Sequence, residues 1–164
     1  MALTTSVTMN IQASQTSSLD LVTKRADLLK SIALALDTGT GLNQADVMFT
    51  DTRSTAATDS LDMNGGGLLD NIGNAWAPAR IKAIIVVAAA ANTGNVLFRR
   101  PASNGVPFLT AAGDEIPIHP GGVCMIWAPS AAGYVVTAGT GDLIECAASA
   151  GTVTYDIYIV GASA

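Results

Sequence analysis

From Val123 to Val160 the chain repeats one short phrase: a run of aliphatic, β-branched or aromatic residues, then a turn of Gly, Ala, Ser, Thr or Pro. The runs are Val123–Trp127, Tyr134–Thr137, Asp142–Cys146 and Val153–Val160. Runs this short span a sheet but cannot make a helix long enough to bury a face. In the last one, Val153, Tyr155, Ile157 and Ile159 alternate with Thr154, Asp156, Tyr158 and Val160. That period of two sends the first set to one face and the second to the other. Short strands at regular spacing, with almost no helical periodicity, predict an all-β chain folded as an antiparallel sandwich or barrel.

The first half is more ambiguous. Val7, Met9 and Ile11 alternate with Thr8, Asn10 and Gln12, so residues 1–19 read as a first strand or an extended arm, with one β domain over 20–164. In Leu28–Leu36 a helical stripe competes with an alternating one. The Gly39-Thr-Gly41 turn and the short run Ala45–Phe49 that follow decide for a strand. Residues 54–75, rich in Ser, Thr, Asp, Asn and Gly, predict a long surface loop with one short strand near Ser60–Met63. Arg80–Ala91 begins a stronger half with a central strand. Asn92-Thr-Gly-Asn95 then turns the chain into Val96–Arg99, and Ile116–Gly122 makes a corner.

Composition adds a constraint on surface. Of 164 residues 49% are hydrophobic and only 13% charged, against roughly 25% in ordinary soluble domains, and the net charge is −5. All eight Lys and Arg lie at or before Arg100, and beyond Glu115 the only charges are Asp142, Glu145 and Asp156. A neutral, apolar surface on a small protein calls for cover by other subunits. Membrane insertion is not the expected cover. Asn92, Thr93, Gly94 and Asn95 interrupt Ala83–Phe98, while Pro117, Pro120 and Pro129 break Ile116–Gly141. The acidic balance argues against direct nucleic-acid binding. Met-Ala-Leu-Thr-Thr lacks the basic and apolar regions of a secretory signal, so synthesis in the cytoplasm is expected.

Chemistry is hard to place. The single histidine, His119, precludes a Cys/His metal cluster, and between Ile118 and Pro120 it reads as a corner residue. Ala147-Ala-Ser149-Ala-Gly151 falls one residue short of a nucleophile elbow, and a strand follows where the elbow needs a helix. Asp114 and Glu115 are adjacent and point oppositely in extended chain. Asp51 and Arg53 share a side of an extended segment, which suits an ion pair better than a ligand clamp. Gly65-Gly-Gly67 has no lysine for a phosphate loop, and Arg99-Arg100 reads as a solvated strand end. Cys124 and Cys146 lie in strand-like runs and are expected as reduced core residues. No catalytic residue, metal or cofactor is therefore assigned, and the chain is expected not to be an enzyme.

Three stretches together, Ala79–Val87, Ile118–Thr137 and Thr154–Gly161, resemble small β-rich virion proteins of tailed bacteriophages, and Gly39–Asp46 with Asp51–Arg53 extends the likeness over most of the chain. The resemblance implies a capsid decoration, or cement, protein. Such a protein is a jelly-roll-like sandwich that forms homotrimers on the outside of the head and binds the major capsid protein against internal DNA pressure. A tail, neck or fibre-base protein is the alternative, and a glycan- or receptor-binding β module stands third. Contact with partners is expected from the arm and from residues 54–74.

Overall fold

In the computed structural model, which describes residues 2–164, Val153, Tyr155, Ile157 and Ile159 are all fully buried. They line one face of the long last strand. Numbered along the chain, the twelve strands are β1 (Thr5–Ser18), β2 (Thr23–Thr38), β3 (Gln44–Ala45), β4 (Val47–Thr55), β5 (Thr58–Asp62) and β6 (Arg80–Ala88), then β7 (Val96–Arg99), β8 (Glu115–Ile118), β9 (Val123–Trp127), β10 (Tyr134–Val135), β11 (Leu143–Ala148) and β12 (Val153–Ala162). Among the described residues there is no helix.

The body is an antiparallel β-sandwich. In one sheet β12 lies between β6 and β4, and β9 and β10 pair in succession along the other side of β6. The opposing sheet runs β5-β11-β7-β8. Between the sheets the buried set of β12 meets Phe49, Ile84 and Val86 from its own sheet and Leu61, Val96, Phe98, Ile118, Ile144 and Cys146 from the other. β-Branched and aromatic side chains dominate because two pleated faces about 10 Å apart leave room for one interdigitated layer. The loop after β7 closes one end by burying Val106 and Phe108, and Trp76 seals another, its ring centroid 5.7 Å from that of Phe49.

One irregularity in the central ladder has a structural use. Val160 pairs with Ala83 but Gly161 pairs with Ile81, so Lys82 is the extra residue of a bulge. Gly161 is required there, since a Cβ would sit 2.8 Å from the Arg80 carbonyl oxygen. Lys82 is fully buried, yet no carboxylate meets it. Its ammonium donates to the carbonyl oxygens of Gly41 (3.2 Å), Ala131 (3.1 Å) and Ser130. One side chain thus ties the loop after β2 to the loop after β9, and burial pulls its pKa down. Replacing Lys82 by Met keeps the stem but leaves three carbonyls without that donor, at an expected cost of about 2 kcal/mol. Urea unfolding reads the loss, and limited proteolysis should open the 39–43 and 128–133 loops first.

Two expectations need correction. The segment 54–75 is not one long loop. β4 runs to Thr55, and β5 occupies Thr58–Asp62, paired along β11 from Thr58↔Ala147 to Asp62↔Leu143. Its Ser, Thr and Asp residues mark two edge strands, where one face is wet and polar residues cost nothing. The loop that remains spans 63–79. The projecting part, in turn, is not a lone strand over residues 1–19. It is a hairpin in which β1 pairs with β2 along its whole length, from Thr5↔Leu36 to Ser18↔Thr23. The strand assigned to Leu28–Leu36 is half of that arm. Met1 lies outside the described residues. Tyr134–Thr137 contributes only two residues to β10, and Thr137 then bridges to Gly141.

Candidate assembly surface

Most of the side chains that sequence reasoning weighed for chemistry make contacts within the fold. His119 is exposed in the β8–β9 turn, where its carbonyl accepts from the Gly122 amide at 2.8 Å. Ser149 sits in the β11–β12 turn with its Oγ accepting from the Asn95 amide at 2.7 Å. Asp114 caps its own loop by accepting from the Ala111 amide. Arg99 is not a free strand end, since its Nε donates to Glu145 at 2.8 Å and Nη2 to Thr58. Arg100 Nη1 donates to the carbonyls of Leu109 and Thr110. Among the described residues no His, Cys, Asp and Glu side chains cluster as a metal would need. Nor is any helix long and apolar enough to cross a membrane.

Asp51 and Arg53 do form the ion pair their spacing suggests, at 2.9 Å. The stronger partner was missed. Arg53 forks onto Asp59, Nε to Oδ2 at 2.5 Å and Nη2 to Oδ1 at 2.8 Å, and the Tyr155 hydroxyl donates to the same carboxylate at 2.8 Å. The Arg53 guanidinium holds Asp59 below the usual carboxylate range, and Asp59 in return raises the guanidinium further. A bidentate pair of this kind pins β5 across the β4–β5 turn. The cysteines are both free, as expected, but they differ. Cys146 is buried in β11, whereas Cys124 on β9 is only half-buried, and burial raises both thiols.

What is left without a structural task is apolar surface. On the outer face of the β12 sheet the registers stack side chains in rows that cross four strands. The first row is Trp127, Ala83, Val160 and Met48. Leu36 of β2 and Leu3 pack over it with Ala45 as a second small cluster, so the root of the arm covers that row. The next two rows are Met125, Ile85, Tyr158, Thr50 and Val123, Val87, Asp156, Thr52, and apart from Asn71, whose side-chain amide donates to Thr50 at 2.8 Å, no segment of the chain lies over them. Val123 is 62% exposed and Tyr158 40%. The sole charge in these rows is Asp156, which accepts from Thr52 Oγ1 at 2.6 Å. Trp127 is half-buried because it belongs to this outer face.

The arm carries the same signature. Residues paired across an antiparallel ladder point to one side, so one face of the hairpin holds Val7, Met9, Ile11 and Ala13 with Leu28, Ile32 and Leu34. The opposite face holds Ser6, Thr8, Asn10, Gln12 and Ser14 with Asp27, Leu29, Ser31, Ala33 and Ala35, so it is polar apart from Leu29 and two alanines. Exposure climbs along the apolar side from 1% at Leu36 to 54% at Leu28, and Leu21 at the tip is 94% exposed. A bare two-stranded ribbon is marginal in water, and this one is bare beyond its root. The alternation in β1 was legible. So was the strand character of Leu28–Leu36 in β2; that the two strands pair was not, because pairing register leaves no local trace. Comparison of the chain with protein-family models, with curated proteins and with solved structures gives no match.

Proposed function

We propose that this chain is a non-enzymatic virion structural protein of a tailed bacteriophage: a capsid decoration protein that binds the outside of the head as a homo-oligomer, with a trimer favoured. The observation that carries this reading is the uncovered apolar surface, shared between a projecting hairpin and the outer face of a sandwich whose charged residues are nearly all used internally. Such a surface suits a protein that works by being covered. The scarcity of charge in the outer rows, where Asp156 stands alone, suits a dry contact better than transient encounters, which use charged rims.

The mechanism in this reading is mechanical. A subunit that bridges several copies of the major capsid protein adds buried apolar area, at about 25 cal/mol per Å² less association costs, that rupture must expose again. Oligomerisation multiplies the effect, since each further contact of a bound oligomer forms at high effective concentration. The jelly-roll-like arrangement implied by the resemblance belongs to this proposal as well.

Purified protein added to phage heads lacking it should co-sediment at a fixed copy number and raise the temperature at which packaged DNA is released. Failure to bind the heads would overturn the reading. Labelling confined to the tail or neck in micrographs of assembled particles would move it to the alternative, a tail, neck or fibre-base protein.

A further inference from the structure

The two uncovered surfaces are related by more than composition. Both continue outward from one small cluster, that of Leu36, Leu3, Ala83, Val160, Met48 and Trp127. The arm leaves this cluster with its apolar face bare, and the sheet continues past it with two bare rows. Within one chain they cannot meet, since the arm's root already occupies the first row and its exposure rises steadily away from the body.

We propose that the apolar face of the arm packs on the two bare rows of a second copy of this chain, so that each copy gives an arm and receives one. Three features single out a second copy as the occupant. The footprints match: Val7–Ala13 makes a ribbon about 23 Å long and 10 Å wide, and two rows across four strands cover about 19 by 13 Å. The charges complement. Lys24 and Lys30 are the only charged residues on the arm's apolar side, and Asp156 is the only one in the bare rows. The area suffices, because engaging both footprints on every copy removes on the order of 1,000 Å² in total, the size at which specific interfaces begin. An arm that meets a different surface on its neighbour is a heterologous contact, and such contacts are satisfied throughout only when the assembly closes.

This inference deepens the self-association half of the proposal above and rests on that half alone; it does not depend on the virion. It is therefore tested with the full chain in solution, without heads. Light scattering behind size-exclusion chromatography at about 100 µM should give at least twice the 16.6 kDa chain mass. Ile11→Asp with Leu28→Asp on the arm, and separately Val123→Asp with Tyr158→Asp on the sheet, should each return the mass to that of one chain. All four positions are exposed, so unchanged circular dichroism and melting would show that the variants fold. Carbodiimide coupling of a mixture of ¹⁴N and ¹⁵N protein should join Lys24 or Lys30 of one copy to Asp156 of another. A monomeric wild type, folded variants that keep the wild-type mass, or mixed-isotope links between arms and none to Asp156 would each overturn it. Should the chain prove monomeric and still bind heads, this inference falls and the decoration reading stands.

Discussion

Phe98→Ala is expected to cost about 3–5 kcal/mol, the range for emptying a buried aromatic site. Phe98 is fully buried on β7, in register with Cys146 of β11 and Ile116 of β8. Its ring lies 4.7 Å from that of Phe108 at an interplanar angle of 18°. Two losses add: the ring's own burial, and the stacking that holds the long loop after β7 against the end of the sandwich. That loop is otherwise tied down by Arg100 and by the pairing of Gly105 with Leu143, so it cannot collapse fully into the space. For a chain of this size the melting temperature should fall by roughly 6–20 °C. Phe108→Ala should cost less, because its loop is freer to adjust. The double variant should be less destabilised than the sum of the two by about 1 kcal/mol, the worth of the aromatic pair. Urea denaturation of the four proteins measures the cycle, and a Phe98→Ala cost under 1 kcal/mol would contradict the core described.

How much of this was readable in advance depends on whether the signal is local. The alternation of β12 is local, and it places Val153, Tyr155, Ile157 and Ile159 inside without reference to any other strand. The strand character of Leu28–Leu36 was also within reach, once the following turn was weighed. The short strand expected near Ser60–Met63 is present as β5 over Thr58–Asp62, but the end of β4 at Ser54–Thr55 reads as loop from its polarity, when an edge strand with a wet face is polar for the same reason. The Arg53–Asp59 pair was missed since the two residues are joined across a turn, whereas the nearer Asp51 shared a side with Arg53 by simple alternation. The outer rows were the least legible element. Met125, Ile85, Tyr158 and Thr50 become neighbours only through three separate registers. Likewise Ile11 meets Lys30 because the hairpin turns at Leu19–Val22, where the Leu19 amide donates to the Val22 carbonyl at 2.8 Å.

Alkaline solution should destabilise this protein progressively from about pH 9 upward. Burial pushes the Cys146 thiol from 9.0 up to about 12, and Tyr155, whose hydroxyl donates to Asp59, is driven far above its ordinary 10.0, also chiefly by burial. Both groups keep their protons in the folded chain at pH values where the unfolded chain has released them. The folded state then binds more protons, so unfolding free energy falls as pH rises. The stability they hold is complete below pH 9. It declines first through Cys146, by about 1.4 kcal/mol per pH unit between pH 9 and 12, up to about 4 kcal/mol. Above pH 10 Tyr155 adds a second loss of the same sign. Asp59 works at the other end of the scale. Its pKa is lowered, so what it contributes is present above the usual carboxylate range and is lost as pH falls through its own depressed value. Urea midpoints taken from pH 7 to 11 should be flat to pH 8.5 and then drop, with a steeper slope above pH 10. Cys146→Ala should remove the first part of the decline and Tyr155→Phe the second, each at a small cost in stability at pH 7. Midpoints unchanged between pH 8 and 11 would mean that neither group is buried as described, and with them the inward face of β12 and its contact with β11 would have to be redrawn.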